Sequence, residues 1–169
     1  MTQTLTDYIT GKEVLNSGSE LTRQAVEKLL VEQKGFAKEN IRVDEPIEVL
    51  FKGEPYASSL DLIVFHRGNA VMAIKCAAGS IGSYEREILS GARLIYDYQI
   101  PLAITTDARD AILMDTLTGT QTDQGLEAIP SRDQVDAAFS SYQFIGFDPK
   151  KKEREMIIFR SFNMDKTNR

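Results

Sequence analysis

Two charged side chains stand inside segments that are otherwise apolar. LDLIVF (60–65) and AVMAIKCA (70–77) are rich in β-branched and aliphatic residues, yet they carry Asp61 and Lys75. RGN (67–69) reads as a tight turn, so the two segments form a hairpin whose strands face each other. A buried lysine needs an anionic partner, and Asp61 across the hairpin supplies one; Glu20 is a second. Side chains alternate along a strand, so Cys76 points away from Lys75 into an apolar layer, as a buried thiol rather than a nucleophile. His66 and Arg67 fall at the hairpin turn, where solvent exposure is the default and a phosphate contact the alternative. With one cysteine and one histidine, the chain can build neither a disulfide framework nor a His-rich or cysteine-rich metal site. Gly79 and Gly82 are not followed by Lys-Ser/Thr, so no phosphate loop is present.

These residues must be positioned by the elements around them. Residues 1–18 are polar and irregular, an arm or short strand. The spacing of Leu21, Val26, Leu29 and Leu30 predicts an amphipathic helix over 19–34, with Ser19 as N-cap, Glu20 in the first turn and Gly35 as terminator. Residues 41–51 are extended and 52–58 a polar loop. The central hairpin follows, apolar enough for burial on both faces. Helical spacing returns over 83–97, where Glu85 and Glu87 read as a solvated face. Strands are expected at 100–106 and 110–119, a short helix at 130–142, and a strand or helix at 156–162. Lys150, Lys151, Lys152 and Arg154 form a basic run, read as a solvated loop with a phosphate backbone as the alternative partner. Tyr96 and Tyr98 read as core packing. The order predicts a mixed sheet flanked by helices.

At 169 residues, 42% hydrophobic and 27% charged, the chain suits one globular domain with a sizeable core. The expected boundaries are an arm at 1–18, one domain at 19–162 and a tail at 163–169. A net charge of -5 argues against a dedicated nucleic-acid binder, although a local basic face can coexist with it. The N-terminus has no apolar signal core and no run approaches the ~20 residues of a membrane span, so a cytoplasmic protein is expected.

Three pieces in order carry a family resemblance: SELTRQAVEKLLVEQKGFAKENIRV (19–43), SLDLIVFHRGNAVMAIKCAAGS (59–80) and PLAITTDARDAILMDTLTG (101–119). They resemble the N-terminal nuclease domain of the type I restriction enzyme R subunit and related proteins of the PD-(D/E)XK superfamily. The resemblance implies a restriction-endonuclease-like α/β fold and Mg²⁺-assisted phosphodiester hydrolysis. An aspartate and an acid-x-Lys triplet on the hairpin, with a helix glutamate, would hold the ion. Asp61 matches the aspartate and Glu20 the helix glutamate. The triplet, however, reads Lys75-Cys76-Ala77, with a cation where the acid belongs and alanine where the lysine belongs.

Two readings follow from that departure. In one, the domain is catalytically degenerate and acts as a DNA- or protein-binding module, in contact with subunits of a restriction or defence assembly. In the other, it is an active Mg²⁺-dependent endonuclease with a rearranged site of Asp61, Glu20 and Lys75, with Glu87 (or Glu85) as a migrated metal ligand. A homodimer is a background expectation, since many relatives self-associate. With no helicase or ATP-binding motif in these residues, the chain is not expected to be a complete restriction subunit.

Overall fold

The computed structural model describes residues 3–167, with side chains to Met164; residues 1, 2, 168 and 169 of the expected arm and tail lie outside the described residues. Strands β1 (Thr4–Thr6) and β2 (Glu13–Leu15) pair antiparallel with each other alone. Helix α1 (Gly18–Lys28) continues through a π-helical turn at Leu29–Gln33. There follow β3 (Ile41–Phe51), β4 (Glu54–His66), β5 (Asn69–Cys76), α2 (Glu85–Leu94), β6 (Leu102–Thr106), β7 (Ala111–Asp115), β8 (Gln121–Gln124), α3 (Arg132–Ala138) and α4 (Pro149–Thr167).

The main sheet has the order β3-β4-β5-β6-β7-β8. Neighbours are antiparallel except β5 and β6, which run parallel, and α2 provides the crossover that a parallel step requires. Helices cover both faces. Val26 of α1 and Leu30 of the π-helical turn, with Val135 of α3, pack on Leu62, Val64, Met72, Ile74 and Ile104. Ile88, Leu89 and Ala92 of α2, with Phe159 of α4, pack on Leu60, Ile63, Ala73 and Ala103. The protein is therefore an α/β mixed sheet between helical layers, as the sequence predicts.

One step of this sheet is irregular. The β3–β4 ladder registers Val43 with Leu62 and Glu45 with Leu60, and skips Asp44 and Asp61 between them. Asp44 has φ +52°, a left-handed conformation that costs a non-glycine residue about 1–3 kcal/mol. Leu62 and Leu60, two residues apart, feed opposite cores, and so do Ile41 and Ile47 on the partner strand. Alternation would put each pair on one face. The two strands change faces together at Asp44 and Asp61.

Several local expectations are corrected. The N-cap of α1 is Ser17, which accepts the Glu20 N–H at 3.2 Å, and the face turned to the sheet is that of Arg23, Val26 and Glu27. That rotation leaves Leu21 53% exposed. The loop expected at 52–58 shrinks to Lys52 and Gly53, both at positive φ as a type I′ turn requires, and β4 begins at Glu54. Pro55 is tolerated because β4 has no second neighbour there; β5 joins it only from Leu62. The basic run lies on the opening turns of α4, not in a loop, and that helix continues past residue 162. Strand β8, short and exposed on every side chain, has no apolar pattern to announce it.

Candidate functional site

The face switch at Asp61, the end of β5, the start of α1 and the turn Ile81–Tyr84 surround an open cleft of about 490 Å³. Glu20, Arg23, Asp44, Asp61, Lys75, Ala77 and Tyr84 are among the residues that line it. The structure thus brings Asp61, Lys75 and Glu20 to one place, from three separate elements.

Lys75 is at the centre. It is 8% exposed, and β5 aims it toward α2, the side on which Ala73 also packs. Its Nζ lies 3.8 Å from Asp61 Oδ2 and 3.8 Å from Glu87 Oε2, and 4.9 Å from the Tyr84 ring centre. Asp61 Oδ2 also accepts the backbone N–H of Cys76 at 2.9 Å, which ties the carboxylate to β5. Glu87, 3% exposed, faces inward from the first turn of α2 and accepts a hydrogen bond from Asn163 Nδ2 at 2.6 Å. The solvated face expected for Glu87 is corrected: it is a buried partner of Lys75. The ion pair with Lys75 is made by Glu87 and not by Glu85, two residues earlier.

Glu20 is engaged elsewhere. Its Oε1 accepts Arg23 Nη2 at 2.7 Å, Arg23 Nε at 3.1 Å and Gln24 Nε2 at 2.9 Å. Arg23 reaches across the cleft wall to Asp44 at 2.6 Å. Burial would lower the Arg23 pKa, but the hydrogen bonds and charges of Asp44 and Glu20 hold it above its ordinary value. The left-handed backbone of Asp44 is what turns its carboxylate onto Arg23, out of the ladder. Below Glu20 lie Asp7 and Glu27, and oxygens of these three carboxylates fall within 4.8 Å of one another.

Arg23, Asp44, Tyr84 and Asn163 were not legible as site residues. The signal available was the run Glu20, Arg23 and Glu27, charged residues at helical spacing on the same face as Val26 and Leu30. Charges on a core-facing stripe must be paired with one another.

The family model for the type I restriction enzyme R protein N terminus matches residues 18–130. The chain belongs to this family. Searches of curated proteins and of solved structures each gave no match. The match to the R-protein N-terminus family spans α1 through β8 and so includes Glu20, Asp61, Lys75 and Glu87. The β1–β2 arm, α3 and α4 fall outside it. Asn163, which fixes Glu87, is therefore contributed from beyond the family segment. No helix among the described residues is long and apolar enough to cross a membrane.

The remaining sequence candidates resolve as structure. His66 is 6% exposed, not a surface turn residue, because the hairpin end is covered by α3. Its Nε2 lies 2.8 Å from Asp136 Oδ1, which Arg67 Nη2 also reaches at 2.8 Å. Hydrogen bonding to His66, with the charge and hydrogen bond of Arg67, keeps the Asp136 carboxyl below its usual pKa. Tyr98 accepts the Ala70 N–H at 2.7 Å and stacks edge-on with Phe144, so its role is packing. Cys76 is 3% exposed, and burial first, then the Asp61 charge, pushes its thiol pKa well up. Burial and a protonated sulfur both disfavour nucleophilic attack.

Proposed function

We propose that this domain is a catalytically silent member of the R-protein N-terminus family, acting as a binding module within a restriction assembly. The observation that supports it is the Lys75 ammonium, 3.8 Å from the carboxylates of both Asp61 and Glu87. As they stand, these residues do not fit Mg²⁺. A divalent ion needs oxygen ligands converging on it, and here a lysine occupies the point of convergence with like charge. Glu20, the other expected ligand, is held by Arg23 at 2.7 Å. Position 77 offers only a methyl group, 1% exposed. The cleft wall then carries Glu20, Asp44 and Asp61 against Arg23 and Lys75, a balance that disfavours a phosphate backbone and favours a protein partner.

The test is a plasmid-cleavage assay with Mg²⁺ and with Mn²⁺, beside calorimetric titration of each metal. No cleavage and no heat of binding is the expected result for the wild-type chain. The double variant Lys75→Glu/Ala77→Lys rebuilds the acid-x-Lys triplet and is expected to gain metal binding. Metal-dependent cleavage by the wild type, abolished in Asp61→Ala, would instead establish the second reading, an active endonuclease built on Asp61, Glu20 and Lys75. That reading is favoured by one observation, the presence of all three around a single cleft.

A further inference from the structure

The β1–β2 arm is held to α1 by a polar seam that carries too many carboxylates for its cations. Asp7 stands in the turn of the arm, and Glu20 and Glu27 on α1. Asp44 approaches from β3. These four carboxylates converge on one guanidinium, Arg23. Arg23 spends its close contacts on Asp44, at 2.6 Å, and Glu20, at 2.7 Å. Asp7 and Glu27 are each 3.6 Å away from it and have fully buried side chains. The thiol of Cys76 on β5 also feels the Glu27 charge, and burial keeps it neutral. Two buried carboxylates side by side, left to share one guanidinium at 3.6 Å with two carboxylates that hold it more closely, cannot both ionise at low cost, so one proton is shared between them.

The surrounding donors decide where it resides. Asp7 Oδ1 accepts the N–H groups of Ile9 and Thr10, each at 2.9 Å, and Asp7 Oδ2 accepts Gln24 Nε2 at 3.1 Å. Burial opposes its charge, but these hydrogen bonds together with that from Glu27 hold its pKa below the ordinary value. Glu27 accepts one backbone N–H, from Ile9 at 3.0 Å, and a long bond from Gln24 Nε2 at 3.5 Å. Burial first, then the neighbouring Asp7, pushes it up to about 8. Asp7 is thus the anion and Glu27 the protonated donor.

This pair lies on the joint that docks the arm. The Ile9 N–H reaches Glu27, and the Tyr8 N–H reaches Gln24 Oε1 at 2.7 Å. Among the described residues the arm strands pair with no strand of the main sheet, and Ile9 packs against the core from the arm. We infer that the N-terminal arm is a strap clasped to α1 by a proton shared between Asp7 and Glu27, and that loss of this proton releases it. On release, the hydrogen bond between the two side chains becomes a repulsion between two buried anions. Arg23 simultaneously loses its contact with Asp7, so the wall of the cleft senses the state of the strap.

The arm lies outside the family segment, which begins at residue 18. Methyl NMR of the full chain, labelled at isoleucine and valine, tests it between pH 6 and pH 9.5. The Ile9 methyl is expected to move from its packed position toward a solvent-exposed one with a midpoint near 8, while the Val26 methyl, 0% exposed, stays native. Glu27→Gln keeps a neutral hydrogen-bonding group at that position and is expected to hold Ile9 in its packed position at every pH. An Ile9 methyl that does not move in the wild type overturns the inference. So does a transition that persists in Glu27→Gln, or a Val26 methyl that moves in step with Ile9.

Discussion

Asn163, near the end of α4, donates a 2.6 Å hydrogen bond to Glu87 at the start of α2. Both residues are buried, and the bond spans 76 positions of sequence. It fixes one carboxylate oxygen of Glu87 and leaves the other for Lys75. Asn163→Ala strips that oxygen of its donor in a place water does not reach. The expected loss is about 1–3 kcal/mol of folding stability, read from urea unfolding midpoints, with the larger end expected if Lys75 cannot reorient toward the freed oxygen.

Lys75→Met keeps the volume of the side chain and removes its charge. Asp61 and Glu87 would then face each other with no cation between them. Removing one member of a buried ion pair costs about 3–5 kcal/mol. The Nζ distances of 3.8 Å are long for hydrogen-bonded pairs, which places the expectation at the lower end, about 3 kcal/mol. Thermal and chemical denaturation check it. A variant as stable as the wild type would show that the lysine is not what neutralises the two acids.

Glu27 gives stability a pH dependence with a definite sign. Its ordinary value is 4.5 and in the fold it is raised to about 8. Between those values the folded chain holds a proton that the unfolded chain has released. The contribution is therefore full below 4.5 and is lost as pH rises through about 8. Asp7, lowered in the fold, acts in the opposite sense, and its contribution is lost on the acid side. The expected result is a decline in unfolding free energy from pH 6 to pH 9 that is flattened in Glu27→Gln.

Cys76 should be silent toward a thiol reagent. It is 3% exposed and its thiol is held protonated by burial and by the Asp61 charge. Reaction with a disulfide reagent in native buffer should be slower than in denaturant by orders of magnitude, limited by opening of the fold. Fast labelling of the native protein would place Cys76 outside the core.

The central hairpin, α2 and the two strands after it were readable because each is a long apolar run with one period. Asp61 and Lys75 were readable as partners because a charge within such a run has few places to go. What stayed hidden depended on geometry that periodicity does not encode. Asp44 reaches Arg23 only through a left-handed backbone step. Asn163 reaches Glu87 only because α4 folds back across α2. Glu87 looked like a solvated residue because the charges flanking it, Glu85 and Arg86, mask the inward face of its turn. His66 looked exposed because α3, which covers it, is distant in sequence.

The face switch at Asp44 and Asp61 gives the sheet a seam that belongs to neither apolar layer. A side chain seated on that seam answers to the charges around it, Arg23 for Asp44 and Lys75 for Asp61. Such a location is where a scaffold can exchange one chemistry for another, or abandon chemistry, when the charges that face each other there change together. Lys75 reaches that seam through Asp61, so a change of charge at position 75 has to be matched at Asp61 and Glu87.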